Sequence, residues 1–140
     1  MKNHPCWILV ADGSRARILS RKTPRSELTL IESFENPVAR QKTRELVTDS
    51  PGPIGTSDPL SSPGEIEEDR FASRLAQRLC DGAHQNLFNG LVLIAAPRFL
   101  GVLRSELPRA VSARVLTETA KNFTSLSVEE IGQSLRQHPA

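Results

Sequence analysis

Two kinds of side chain in this sequence could do chemistry: a carboxylate that ends an apolar run, and arginines near the expected ends of a sheet. Asp12 follows the apolar run Cys6 to Ala11, and carboxylates at strand ends hold metal ions when several of them converge. A guanidinium instead binds phosphate or carboxylate through a planar set of N–H donors. The candidate anion-binding or nucleic-acid-binding residues are Arg15, Arg17, Arg98 and Arg104.

Arg98 stands in the stretch LVLIAAPRFLGVLRSEL (residues 91–107), where an apolar run leads through a proline into an expected helix. A cation in the first turn of a helix opposes the helix dipole, at a cost of about 0.3–1 kcal/mol when it is exposed. A bound phosphate would offset that cost, and so would a carboxylate such as Asp58 or Glu65. Arg104 lies six residues on, nearer another face of the helix, and is expected to pair elsewhere.

The sequence holds no complete catalytic or metal-binding set. Asp12 and Gly13 form a dipeptide typical of tight hairpin turns with positive φ values, so Asp12 is expected first as a turn residue and then as a possible polar site. The two cysteines stand in apolar or helical patterns, which predict reduced core residues. His84 with Asp81 has helical metal-ligand spacing but lacks further ligands. We therefore predict no catalytic residues, no metal and no cofactor.

The length indicates one domain over residues 1–140. The net charge is +2, distributed as +4 over residues 1–46, −6 over 47–69 and +4 over 70–140. The acidic segment is either a solvated loop and helix start or a cover that competes with nucleic acid for the basic faces. Aromatic residues make up only 4% of the chain, so RNA contact is expected with backbone and shape rather than with stacked bases.

The first part of the chain predicts an antiparallel meander. The expected strands are 6–11, 16–20 and 28–34. In the third strand, alternation places Leu28, Leu30 and Glu32 on one face. A short helix is expected over 38–47, and residues 48–63, with four prolines and two glycines, predict a flexible loop.

Helices and strands alternate in the remainder of the chain. A capping box at 62–65 predicts a long helix with two stripes. The apolar stripe that faces the core contains Phe71, Leu75, Leu79 and Ala83. The basic stripe contains Arg70, Arg74 and Arg78 and is either a solvated face or a contact for the RNA backbone.

The last elements are a covered strand, a helix, a strand and a helix. The continuous apolar run 91–96 predicts a strand in the centre of the sheet. Pro97 begins a helix that Pro108 ends, and Gly101 within it is expected to allow close packing. After a strand over 115–119, a second capping box at 127–130 begins the final helix.

The order βββ(α)αβαβα predicts an α/β fold with a single mixed sheet. It resembles the ribonuclease H topology, which the middle domain of archaeal and eukaryotic class one release factors also approximates. Ribonuclease H chemistry needs carboxylates from the first strand, the first long helix and the fourth strand. Asp12 and residues 65–69 would supply the first two, but the fourth strand, LVLIAAP, supplies none, which argues against a metal-dependent nuclease.

Three stretches resemble the bacterial family named for attachment to host cells, which looks like a compact relative of the release-factor middle domain. They are WILVADGSRARIL (7–19), FASRLAQRL (71–79) and LVLIAAPRFLGVLRSEL (91–107). Relatives favour a K-D-L-T element before the last helix, where this chain has Lys121-Asn122-Phe123-Thr124. The Gly-Gly-Gln tripeptide that release factors use for peptide release is absent, so that activity is not implied.

Three functions remain open at this point. The first is a non-enzymatic binding module that meets RNA or the translation apparatus through the four arginines. The second is a regulatory factor that affects host attachment through a protein partner, and the third is a small hydrolase that uses Asp12. The apolar run near the N-terminus is too short for a signal peptide or a membrane span, so a cytoplasmic protein is expected, of unknown oligomeric state.

Overall fold

The computed structural model describes residues 5–23, 26–36 and 63–137, which form a mixed sheet with helices on both faces. The strands are β1 (Cys6–Ala11), β2 (Arg15–Arg21), β3 (Thr29–Glu35), β4 (Gly90–Ala95) and β5 (Val115–Ala120). The helices are α1 (Pro63–His84), α2 (Pro97–Glu106), α3 (Arg109–Ser112) and α4 (Val128–Gln137). The α/β class is confirmed. The helix expected over 38–47, residues 48–62 of the expected loop and Ser62 of the first capping box lie outside the described residues, while Pro63 begins α1.

The strand order is β3-β2-β1-β4-β5. β1 pairs antiparallel with β2, and β2 with β3, while β1, β4 and β5 run parallel. This is the arrangement that the resemblance to the ribonuclease H topology implies. Because the three parallel strands end at the same edge of the sheet, residues that follow them are brought together there.

Each face of the sheet has its own apolar core. Helices α1, α2 and α3 cover one face, where Phe71 and Phe99 pack with Leu93. Among the described helices, α4 covers the other face, where Ile131 packs with Val92 and further side chains of β1 and β2. All six residues of β4 are buried because helices lie on both of its sides, which is why that strand reads as a continuous apolar run.

The start of α4 is determined by local sequence, as predicted. The backbone N–H of Ser127 donates to Glu130 Oε1 over 2.8 Å, and the N–H of Glu130 donates to Ser127 Oγ over 3.1 Å. Leu126 and Ile131, on either side of this capping box, belong to the same apolar cluster. The predicted capping box is therefore confirmed atom by atom.

Strand β3 departs from the predicted alternation because a bulge interrupts its pairing with β2. Leu19 pairs with Leu30 and the next residue, Ile18, pairs with Glu32, which leaves Ile31 as the extra residue. Leu28 accordingly packs with the α4 core, whereas Glu32 reaches a helix on the opposite face. Leu30, opposite Leu19, lies on the same face as Leu28, as expected, whereas the expectation that Glu32 also lies there was wrong.

Gly101 in α2 does not permit a close contact, contrary to the sequence-based expectation. It is exposed, and a Cβ atom added there would meet nothing within 4 Å. Glycine is therefore at this position only a weak helix former, and we expect Gly101→Ala to raise the free energy of unfolding by about 0.5–1 kcal/mol. Urea unfolding measures this change.

Gly82→Ala in α1 is the matched control. The Cβ added at Gly82 would lie 2.8 Å from the Trp7 ring, inside the packed core, so this substitution should lower the stability. If Gly101→Ala lowers the unfolding midpoint as Gly82→Ala does, the account of Gly101 is wrong.

Candidate functional site

Four alanines lie in one row across the sheet and fix the positions of the polar residues beside them. Ala11 pairs with Ala16 of β2 and with Ala95 of β4, and Ala95 pairs with Ala120 of β5. Neighbouring strands are about 4.8 Å apart, so this row is about 14 Å wide. The next residues outward, at the edge of the sheet, are Arg15, Asp12, Ala96 and Lys121.

Asp12 lies at the centre of this edge and accepts five hydrogen bonds. Its Oδ1 accepts from the backbone N–H groups of Ser14 and Arg15, at 2.8 and 2.9 Å, and from Ser14 Oγ at 3.0 Å. Its Oδ2 accepts from Asn122 Nδ2 at 3.3 Å and Thr124 Oγ1 at 3.0 Å. The carboxylate therefore organises the β1–β2 turn and at the same time holds residues far away in the sequence.

Asp12 is ionised at neutral pH because hydrogen bonds outweigh its burial. Partial burial by itself would raise the pKa of Asp12, but the N–H groups of Ser14 and Arg15 and the Thr124 hydroxyl together hold that pKa below its ordinary value. A carboxylate whose oxygens are both occupied in this way suits a structural role. The prediction that Asp12 is a turn residue is confirmed.

The turn itself is not of the predicted type. Neither Asp12 nor Gly13 has a φ in the left-handed region; among the described residues other than glycine, Asn86 alone has a positive φ, of 57°. Gly13 lies against α1 instead, where an added Cβ would be 2.8 Å from the Glu68 carboxyl group. A side chain at position 13 would therefore require only that the flexible Glu68 side chain move, so neither a left-handed turn nor backbone packing requires glycine here.

Asn36 connects this turn to α1 through hydrogen bonds. The side chain is 5% exposed, and its Nδ2 donates to the carbonyl oxygens of Gly13, at 3.2 Å, and Glu67, at 3.3 Å. Its backbone N–H donates to Ser14 O over 2.8 Å. Asn36 is not predictable as a site residue from the sequence, because nothing local to it indicates these partners.

Arg17 is occupied by the β5–α4 loop (residues 121–127). Its Nη2 donates to the carbonyl oxygens of Phe123, Thr124 and Leu126, at 3.3, 3.1 and 2.5 Å. Burial, together with the nearby charge of Arg15, lowers the pKa of Arg17, which leaves the guanidinium protonated at neutral pH. Asp12 and Arg17 thus hold the β5–α4 loop against the β1–β2 hairpin from two sides.

Arg15 and Arg17 share one face of β2, as predicted, and border a pocket of about 240 Å³. In register on β3, Arg15 is opposite Glu35 and Arg17 is opposite Ser33. The remaining lining residues are Ala16, Phe34 and Thr124. Arg15 is exposed, and no ion pair of its guanidinium occurs among the described residues.

Arg98 and Arg104, the two arginines predicted in α2, have different surroundings. Arg98 is the second residue of α2 and is exposed at the carboxyl edge of the sheet, while Asp58 and the side chain of Glu65, its proposed carboxylate partners, lie outside the described side chains. Arg104 pairs with Glu118 of β5, and this hydrogen bond and charge raise the pKa of Arg104. The expectation that Arg104 pairs elsewhere is confirmed.

The basic stripe of α1 is engaged with protein groups. Arg70 pairs with Glu67, at 3.1 Å, on the same helix. Arg78 donates to Glu32 Oε1 over 2.7 Å and lies 5.2 Å from the centre of the Trp7 ring. These contacts favour the interpretation as a partly solvated helix face over a surface for RNA.

Lys121 is a further candidate residue, which was not among those predicted from the sequence. It directly follows β5, is exposed, and stands in the same edge row as Arg15. Its position could have been predicted, because the residue that follows each parallel strand is expected at this edge. Within the described ranges, no group of three or more potential metal ligands occurs at this edge or elsewhere, and no helix has the length and apolar character to cross a membrane.

A family model described as "Protein required for attachment to host cells" matches residues 7–135. The match begins at the second residue of β1 and includes the other four strands and the edge around Asp12. No curated protein sequence matches the chain.

Among solved structures, the archaeal translation termination factor aRF1 has a similar fold. The TM-score is 0.54 at 13% sequence identity, and the similarity covers 97% of this chain. The chain spans 38% of the length of that factor. At this identity the likeness concerns the fold alone.

Proposed function

The chain belongs to the family of proteins required for attachment to host cells, and on this premise we propose that it is a non-enzymatic binding module that contacts RNA or the translation apparatus. The contact would be made by the basic edge, which we define as Arg15, Arg98 and Lys121. A cytoplasmic location, where RNA and ribosomes are found, is part of this proposal. An effect on attachment to host cells would then be indirect.

The observation that carries this proposal is the position of three exposed cations at the carboxyl edge of the parallel strands. Ligands of open α/β sheets gather beyond that edge. Arg15 and Lys121 stand about 14 Å apart across the row, a width that suits successive phosphates of a polyanion rather than a single small anion. Asp12 lies between them, but its carboxylate oxygens are occupied by hydrogen bonds.

The similarity in fold supports the translation apparatus as the proposed binding partner. The solved structure of similar fold is a factor of translation termination, as its name states. A fold does not determine a function, so the binding surface has to be tested on this chain itself.

We expect the protein to co-sediment with ribosomes or total RNA at low salt and to be released at moderate salt. In the Arg98→Glu, Lys121→Glu double variant, the apparent affinity should fall at least about tenfold and the salt dependence should become shallower. Circular dichroism checks that the variant is folded.

The Arg70→Glu, Arg74→Glu double variant is the matched control, because it changes the net charge equally but on α1. It should retain binding. If it loses as much affinity as the edge variant, the basic edge is not the site, and if the unaltered protein does not sediment at low salt, the proposal is wrong.

A second candidate function, that of a regulatory factor with a protein partner, is favoured by the two open edges of the sheet. Strands β3 and β5 have no strand beyond them among the described residues. Leu30 and Ile31 on β3 and Leu116 on β5 are exposed, the last to 66%. Retention of one defined protein partner that Leu116→Lys abolishes, without ribosomal components, would favour this function.

A further inference from the structure

We propose that the pocket on the α4 face of β2 and β3 binds a single phosphate group. Arg15 would be its principal cation and Arg17 a second cation, held in a fixed position. The inference rests on the proposed function, since it names the chemical group that would sit next to the basic edge. The pocket lies on the α4 face of the sheet beside that edge, and Arg15 belongs to both, whereas Arg17 and Ser33 belong to the pocket alone.

The pocket has suitable size and lining. Its volume of about 240 Å³ exceeds what a phosphate group requires. Two guanidiniums border it from β2, and the Ser33 hydroxyl faces Arg17 across the strand pair. A hydroxyl and two guanidiniums are donors of the kind that bind phosphate oxygens.

Arg17 has donors left over for a ligand. All three hydrogen bonds from Arg17 to carbonyl oxygens are donated by Nη2. Its Nε and Nη1 atoms have no acceptor among the described residues. Neither nitrogen is a buried atom that lacks a hydrogen-bond partner. Among the described residues, Arg21 Nε is such an atom. Because the carbonyls hold the guanidinium still, binding an anion would cost little reorganisation.

The charge of the pocket is incompletely balanced. Arg15 stands close enough to Arg17 to lower the pKa of that side chain, and Glu35 is the carboxylate among the lining residues. Two neighbouring cations repel each other, and an anion between them removes that repulsion. This balance favours an anionic ligand over a neutral one.

Titration of the ¹⁵N-labelled protein with inorganic phosphate, at constant ionic strength maintained with chloride, tests the inference. We expect saturable shifts of the Arg15 and Ser33 amide signals. Arg15→Gln should weaken phosphate binding about tenfold. Arg109→Gln should not change it, because Arg109 begins α3, beyond the far end of α2, which runs about 15 Å away from this edge. Arg17 itself is left intact, because its substitution would disturb the β5–α4 loop.

Ser33→Asp supplies an independent variant. Ser33 is exposed, so the fold should persist, and the new carboxylate would occupy the position opposite Arg17 in place of the ligand. Phosphate binding should then be lost. Unsaturable shifts, or equal affinities in Arg15→Gln and Arg109→Gln, would overturn the inference.

A parallel titration with a short single-stranded RNA separates the two proposals and the two sources of phosphate. Phosphate binding without RNA binding would retain the pocket and contradict the proposed function. RNA binding that depends on the basic edge, without phosphate shifts at Ser33, would retain the proposed function and contradict the pocket. Competition between the RNA and phosphate would identify the pocket ligand as a backbone phosphate.

Discussion

We expect Asp12→Ala to lower the free energy of unfolding by about 3 kcal/mol, because it removes an ionised acceptor of five hydrogen bonds. Hydrogen bonds to charged groups contribute about 1.5–3 kcal/mol each, but here they are partly exposed and act together, so they do not add. Urea unfolding of the purified protein measures the change. A loss below about 1 kcal/mol would mean that water replaces the carboxylate and that Asp12 does not hold the loop.

The sign of the pH dependence follows from the lowered pKa of Asp12. A carboxylate with a lower pKa in the folded than in the unfolded state adds stability above the unfolded value, which is about 3.9 for aspartate. That stability disappears as the pH falls through the folded pKa. The free energy of unfolding of the wild-type protein should therefore approach that of a variant without a titrating group at this position only below about pH 4.

Asp12→Asn is the matched variant for this measurement. Its amide oxygen can still accept from the Ser14 and Arg15 N–H groups, but its NH₂ group would face the donors of Asn122 and Thr124. We expect the stability difference from wild type to be large at pH 7 and smaller at pH 3.5. A difference that is constant over this range would show that the charge of Asp12 is not involved.

Arg17→Ala should destabilise the protein by a similar amount, about 3 kcal/mol. Three carbonyl oxygens of the β5–α4 loop would lose their charged donor, and part of the arginine stem would lose its packing. Arg17→Lys should recover only part of the loss, because one ammonium group on a flexible stem does not reproduce a fixed guanidinium. Unfolding by urea, with amide exchange of residues 121–127, provides the measurement.

Asp12 and Arg17 hold the same loop, so their effects should not be independent. Once Asp12→Ala has released Thr124 and Asn122, the carbonyls that Arg17 contacts are less well positioned, and Arg17→Ala should then cost less than it does alone. A coupling of at least about 0.5 kcal/mol in the double-mutant cycle is expected. Strict additivity would indicate that each residue stabilises only its own surroundings.

The parts of the fold that depend on near neighbours were predictable from the sequence. The capping box of Ser127 and Glu130 joins residues three positions apart, so residue type and spacing are sufficient to predict it. The covered strand β4 was equally clear, because burial on both faces leaves only apolar residues in it. The βαβ order then predicted a single mixed sheet. The resemblance to the family depended on the three stretches 7–19, 71–79 and 91–107.

The bulge in β3 and the surroundings of Gly13 and Gly101 were not predictable in this way. Alternation assumes regular pairing, and the bulge at Ile31 changes the face on which every later residue of β3 lies. Glycine is compatible with a left-handed turn, a close contact or an exposed helix position, and only the packing around each glycine distinguishes them.

At the candidate site, the sequence by itself determined that Asp12, Arg15 and Arg98 come to the edge of the sheet, because each stands at or near the end of a strand. Only the tertiary structure decided what each one does there. Asp12 and Thr124 are 112 positions apart, and Arg17 meets its carbonyl partners more than 100 positions away. Such contacts depend on strand order and register, which bring distant residues within hydrogen-bonding distance, and residue spacing carries no information about that distance.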